Sequence, residues 1–186
     1  MKSIGVALGA GTLLALGGAI SACSTTAGGD MDEGAAMPAA TGDVAYAQVR
    51  GADGTVHARA VLTEYDNGVR VVADLMDVPA GTHALHVHET GDCSASDFTS
   101  AGGHWNPTNQ PHPNHKGDLP NFTPDASGKA QVTAMIEGVS LNGATMPALD
   151  ADGAAMIIHA NADDMMSQPS GDAGARIACG VITMGS

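Results

Sequence analysis

The sequence predicts an all-β domain of antiparallel strands, a sandwich or barrel, and three observations carry that prediction. Short runs of alternating apolar and polar residues recur along the chain, few segments repeat with a helical period, and no internal repeat stands out. Twenty-five glycines and nine prolines provide many turns. One Trp, two Tyr and two Phe leave the core to Val, Ile, Ala and Met. Regularly spaced short strands joined by Gly-rich turns are the pattern of such a sheet protein.

The elements follow in order. Strands are expected at residues 44–50 and 56–64, on either side of Gly51-Ala52-Asp53-Gly54, a turn signal. Another is expected at 69–75, after the hairpin signal Asp66-Asn67-Gly68. Four more are expected at 84–89, 130–137, 154–159 and 177–183. Two long turn-rich stretches, 90–125 and 161–176, hold much of the polar chemistry, and scaffolds of this kind often carry functional residues on such loops.

Residues 1–22 read as a leader rather than as part of the fold. Lys2 supplies a positive start, residues 6–20 are apolar or small, and the stretch ends in Ile20-Ser21-Ala22-Cys23. The apolar run is short and interrupted by glycine, which argues against a membrane-spanning helix. A cysteine directly after small residues resembles the bacterial lipobox, in which that cysteine is lipidated and becomes the mature N-terminus. The expectation is therefore a lipoprotein signal peptide over 1–22 and an exported protein, periplasmic or on the cell surface, held to a membrane by a lipid on Cys23. A plain signal peptide with an incidental Cys23 is the simpler alternative. Residues 23–41, rich in Ser, Thr, Ala, Gly, Asp and Met, read as a flexible tether, and 42–186 as the folded domain.

Charge and cysteines narrow the function. Seven Lys and Arg against twenty Asp and Glu give a formal net charge of −13. Nucleic-acid binding needs clustered basic residues, so that class is set aside. Of the three cysteines, Cys93 and Cys179 remain once Cys23 is given to the lipid, and outside the cytoplasm a pair is expected to form a disulfide. Two unrelated buried thiols are the alternative. A bridge closing so long a loop contributes roughly 4 kcal/mol in the chain-entropy model.

Six of the eight histidines and one aspartate carry the chemistry: His86 and His88 in LHVHE, His104 in GGHWNP, His112, His115 and Asp118 in HPNHKGD, and His159 in MIIHAN. Imidazole is a common ligand for copper and zinc, and a carboxylate can complete a zinc site. His86 and His88 are two apart in an expected strand, so they share one face while Val87 points into the core. His159 ends another apolar strand and can reach the same ion. His112, His115 and Asp118, spaced by three in a Pro/Gly-rich loop, suit a closed zinc site. An imidazolate deprotonated at both nitrogens can bridge two cations, which explains seven ligands serving two four-coordinate sites.

Five pieces in order, GTHALHVHETGDC, AGGHWNPTNQPH, HKGDLPNF, MIIHANADD and GDAGARIACGVI, resemble the bacterial, exported branch of the copper,zinc superoxide dismutases over residues 44–181. The resemblance implies a Greek-key antiparallel β-sandwich or flattened barrel. It implies copper held by His86, His88, His104 and His159, and zinc held by His104, His112, His115 and Asp118, with His104 shared. It pairs Cys93 with Cys179, places Arg176 near copper as the guide for the anion, and makes Asp163 the carboxylate linking ligands of the two sites. His83 matches a structural position; His57 has no match and is expected to face solvent.

The implied reaction is dismutation of superoxide to dioxygen and hydrogen peroxide, with copper cycling between Cu(II) and Cu(I) and His104 releasing copper, taking up a proton and delivering it to the product. The partner is the superoxide anion, and the assembly is a monomer or a homodimer. Two departures from the family pattern stand out. The 161–176 loop carries Asp163, Asp164 and Asp172 with no lysine, and only Pro113 and Asn114 separate His112 from His115. Met135, Met146, Met156, Met165, Met166 and Met184 read as core filler, and Trp105 as a packing or site-wall aromatic. Copper storage or delivery on the same fold is the competing function, and a non-catalytic surface domain a third; retention of Arg176 and Asp163 argues for turnover.

Overall fold

The computed structural model describes residues 40–185; the leader, Cys23 and most of the tether lie outside the described residues. Seven strands form one antiparallel sheet: β1 (Ala40–Gly51), β2 (Val56–Tyr65), β3 (Gly68–Leu75), β4 (Leu85–His88), β5 (Ala130–Glu137), β6 (Ala155–His159) and β7 (Arg176–Met184). All seven expected strands are present. β1 starts earlier than expected because Ala40 already pairs with Tyr65 of β2. One element that apolar alternation does not signal is a 3₁₀ turn at Thr99–Ala101.

Strand order is β4-β6-β7-β1-β2-β3-β5. The chain runs β1-β2-β3 as a meander, jumps to the far edge for β4, and returns beside β3 for β5, which is the Greek-key path. Every strand places alternate residues inward, as the period of two requires: Ala45, Ala47 and Val49 on β1, Val69, Val71 and Ala73 on β3. Leu85 and Val87 from one edge strand share a single buried cluster with Val132 and Ile136 from the other. The sheet therefore curls into a flattened, open barrel.

The free edge of β4 positions the site. Unpaired N–H and C=O groups on a buried edge need partners, and residues 103–122 supply them. Glu89 N–H donates to Gly103 O (3.0 Å), Trp105 N–H to Val87 O (2.8 Å) and Val87 N–H to Gly117 O (2.9 Å). His83 and Phe122 exchange two backbone bonds of 2.9 Å. The approach at Gly117 is so close that a Cβ there would overlap the Val87 carbonyl. In this way the loop bearing His104, His112, His115 and Asp118 is laid beside the strand bearing His86 and His88.

β4 and β6 are buried on both faces. Their inner residues fill the barrel, while Ala155 and Ile157 pack outward with Phe98, Ala101 and Cys179 beneath the 90–102 loop. That loop is tied to β7 by the Cys93–Cys179 disulfide, the pairing the resemblance implied. Trp105 is a packing residue, 5% exposed in the main core.

Two expectations need correction. Of the six methionines read as core, Met156 is fully buried, Met146 packs on the core edge and Met135 is half-buried on β5, but Met165, Met166 and Met184 are exposed, because they sit on the 161–176 loop and the end of β7. His57 does not face solvent: it is half-buried, with Nδ1 shielded, because the β1–β2 turn at Gly51 and Asp53 folds over its ring.

Candidate metal centre

The sheet brings all seven predicted ligands together. β4 pairs with β6 so that His86 lies opposite Ile157, and His159 N–H donates to Ala84 O (3.0 Å). This places His86, His88 and His159 on the outer face of the two strands, with Val87 in the core as the alternation demands. His104 bridges to His88 as an isolated β-pair. Two groups result, His86, His88, His104 and His159, and His104, His112, His115 and Asp118, within each of which the candidate ligand atoms lie within 4.8 Å of one another. His104 belongs to both.

His86, His88, His159 and His112 each have one nitrogen committed outside the two groups, and His104 spends one on Asp118. In the first group His86 Nε2 donates to Asp163 Oδ2 (3.0 Å), His88 Nδ1 to Gly102 O (3.0 Å) and His159 Nδ1 to Gly174 O (3.3 Å), while His104 Nδ1 donates to Asp118 Oδ1 (2.7 Å). A neutral imidazole with one nitrogen donating keeps a lone pair on the other. The four remaining nitrogens converge; His88 Nε2 and His159 Nε2, both lone-pair atoms, stand only 3.4 Å apart. His86 Nδ1 and His104 Nε2 are buried without any hydrogen-bond partner.

In the second group, His112 Nδ1 and His115 Nδ1 lie 3.1 and 3.3 Å from the Asp118 oxygens without forming hydrogen bonds. His112 Nε2 donates outward to Asp163 Oδ1 (2.9 Å). Buried polar atoms are normally satisfied, so shielded nitrogens aimed at common points have the geometry of ligand sets. Four imidazole nitrogens suit copper, and three with a carboxylate suit zinc. The residues present fit both ions.

Electrostatics keep these rings neutral. Burial, reinforced by the other imidazoles, depresses His86 to about 2. Burial likewise takes His88 to about 2 and His159 to about 4. Burial alone would raise the Asp118 carboxyl, but its hydrogen bonds from His104 and His115 outweigh that and hold it below the usual carboxylate range. Neutral imidazole is the ligating form.

A cleft of about 480 Å³ opens above the first group, lined by His88, His104, His159, Glu89 and Arg176 among others. Arg176 is the one cation in that lining and Glu89 the one carboxylate. The guanidinium is held by Phe98 O and Gly102 O, both at 2.6 Å. Burial lowers its pKa, but a guanidinium stays charged at any physiological pH. His83, as the resemblance implied, is structural: its ring nitrogens contact His159 O (2.9 Å) and Pro79 O (3.0 Å).

Several site residues were not legible in the sequence. Gly171, at φ +66°, has no room for a side chain: a Cβ there would fall inside the Asp163 carboxylate and 2.8 Å from His112 Nε2. Asn121 holds the Asp163 backbone with two bonds, of 2.7 and 2.8 Å. Gln168 grips the His112 backbone, and Glu89 accepts from Gly103 N–H (2.9 Å). Glu89, Asn121 and Gly171 lie within the family-like pieces, but nothing in their residue types marks these contacts, and Gln168 lies in none of those pieces.

The chain matches the copper/zinc superoxide dismutase family model over residues 52–182. It is 44% identical to a copper-zinc superoxide dismutase of Caulobacter vibrioides over 147 residues, 74% of this chain and 84% of that one. It is 37% identical to a second such enzyme of Aquifex aeolicus, over 74% and 85% of the two chains. A solved SOD-like protein from Bacillus subtilis superposes with a TM-score of 0.68 at 36% identity, covering 73% of this chain and 96% of that one. The copper/zinc enzyme of Brucella abortus gives 0.59 at 27% identity, covering 75% and 99%. With its two histidine clusters, disulfide and curled sheet all in place, the chain belongs to the copper/zinc superoxide dismutase family.

Proposed function

We propose that this protein dismutes superoxide to dioxygen and hydrogen peroxide at a copper site formed by His86, His88, His104 and His159, with zinc held by His104, His112, His115 and Asp118. The observation that carries this reading is the convergence of four lone-pair nitrogens at the floor of a cleft whose one lining cation is Arg176. Copper supplies the one-electron chemistry there by alternating between Cu(II) and Cu(I), and zinc, which has no redox change, supplies a fixed charge.

The chain's own residues do the rest. Arg176 draws the anion into the cleft and orients it over the histidines, a short-range effect that survives an overall acidic surface because low-dielectric walls focus the field. His104 Nε2, a shielded lone-pair atom with no hydrogen-bond partner, is the atom placed to take up a proton at the cleft floor and pass it to the product, while His104 Nδ1 stays on the Asp118 side. Asp163 fixes His86 and His112 together and so keeps the two halves of the centre in register. Storage of copper needs neither a cation at the mouth nor this tie.

The same reading puts the enzyme outside the cytoplasm, anchored by lipid on Cys23 and defending the envelope against external superoxide. The leader ending in Ser21-Ala22-Cys23 and the disulfide support it, since such bonds persist in oxidising compartments. Pulse radiolysis of the copper- and zinc-loaded protein tests the activity beside a His159→Ala variant. Fast superoxide decay that is lost in the variant is expected; slow decay despite stoichiometric copper refutes turnover. Cys23→Ser is expected to move the protein from the membrane to the soluble fraction.

A further inference from the structure

His112 is the one candidate zinc ligand that an element outside its own loop grips by the backbone. Its loop is short, with two residues to His115, and it lies in no strand or helix, so its N–H and C=O need partners from elsewhere. Gln168, from the 161–176 loop, supplies both: His112 N–H donates to Gln168 Oε1 (3.0 Å), and Gln168 Nε2 donates to His112 O (2.6 Å). A single side-chain amide thus reproduces a two-bond backbone pair. The arrangement is reciprocal, because Asn121 makes the same double contact with the backbone of Asp163. Between the two clasps, His112 Nε2 and Asp163 Oδ1 are joined at 2.9 Å.

We propose that Gln168 is a positioning residue for the zinc half of the centre: by clasping the His112 backbone it fixes the ring with Nδ1 toward His104, His115 and Asp118 before any ion arrives, and so sets zinc affinity where the spacer is compact. This rests on the reading of that half as the zinc site. Partners of ligating histidines typically contribute 10- to 100-fold in metal affinity. The clasp acts on His112 alone among the ligands, so the four-histidine set keeps its own anchors at Gly102, Gly174 and Asp163.

The test is zinc titration of the metal-free full-length protein against a chromophoric chelator, with copper titrated in parallel and His112 amide exchange followed by NMR. Gln168→Ala is expected to weaken zinc about 10- to 100-fold and to speed His112 exchange, with copper affinity within about threefold. Gln168→Glu keeps the acceptor for His112 N–H but sets a carboxylate oxygen against His112 O; it is expected to weaken zinc as well, and it gives the same comparison should the alanine variant not fold. Zinc affinity within about twofold of wild type overturns the proposal, as does a parallel fall of both metals with thermal stability, the mark of a merely structural role. A wild type that takes up no zinc overturns the functional reading itself, and the proposal with it, which separates the two failures.

Discussion

Replacing Gly171 with alanine inserts one methyl group where the centre has no space. The Cβ would overlap the Asp163 carboxylate and come within 2.8 Å of His112 Nε2. Interiors packed at crystal density do not absorb such an overlap without movement, here on the order of 1 Å. The carboxylate is fully buried and bonded to His86 at 3.0 Å and His112 at 2.9 Å, and a shift of that size breaks both bonds. Hydrogen bonds to a charged group contribute about 1.5–3 kcal/mol each. The left-handed backbone at φ +66° adds about 1 kcal/mol for any residue with a Cβ. The total, about 4–7 kcal/mol, is comparable to the whole stability of a typical domain. Denaturant unfolding of the metal-free protein is therefore expected to show a loss of at least about 4 kcal/mol, or no cooperative transition, and chelator competition to show both metals weakened. Asp163→Asn, which keeps the shape and removes the charge, is expected to fall between wild type and Gly171→Ala. A loss under about 1 kcal/mol for Gly171→Ala would refute the claim that the Asp163 tie is rigid and stabilising.

Three further outcomes follow from the geometry. Reducing Cys93–Cys179, which spans 86 residues, is expected to destabilise the protein by about 4 kcal/mol in chemical denaturation, and an unchanged midpoint refutes the loop-entropy account. The folded values of His86, His88 and His159 lie below the unfolded value of 6.5, so the unfolded chain binds protons first and stability falls as pH drops below it. For the three rings together the metal-free protein is expected to lose about 4 kcal/mol between pH 7.5 and 5.5, and a flat stability profile there refutes their burial as neutral groups. Glu89→Gln keeps the acceptor for Gly103 N–H and removes the one carboxylate in the cleft lining. It is expected to raise kcat/KM for superoxide about two- to threefold at low salt and to match wild type near 1 M, where screening shrinks to about 3 Å; equal rates at low salt refute local steering.

How much of this was legible in the sequence depended on the range of the interaction. Strands are set by alternation within a few residues, so all seven were readable, and Val87 between His86 and His88 fixed which face met the core. The candidate ligands were readable because histidine is scarce and chemically conspicuous. The 3₁₀ turn and the extension of β1 to Ala40 were not, since each depends on tertiary contact rather than on local pattern. The same holds for Gln168 and Asn121, which act across 56 and 42 residues through ordinary amides, and for Gly171, which acts on Asp163 and His112 through a missing side chain. Met165 and Met166 misled for the opposite reason: apolar composition implies burial, but a loop committed to holding Asp163 has no second layer beneath which to hide them.

The departures from the family pattern become intelligible once the contacts are traced. A loop without lysine leaves Arg176 as the one cation lining the cleft, and under the proposed function a single cation steers well only if it cannot swing toward the surrounding acids. Two carbonyls hold it, and one of them, Gly102 O, also accepts from His88 of the four-histidine group. The peptide that carries this carbonyl is pinned from its other side by Glu89. The loop behind it is tied through Cys93 to Cys179, three residues beyond Arg176 on β7. A displacement of the 90–102 loop therefore moves His88 and Arg176 together, which keeps the one lining cation of the cleft in register with the four-histidine group.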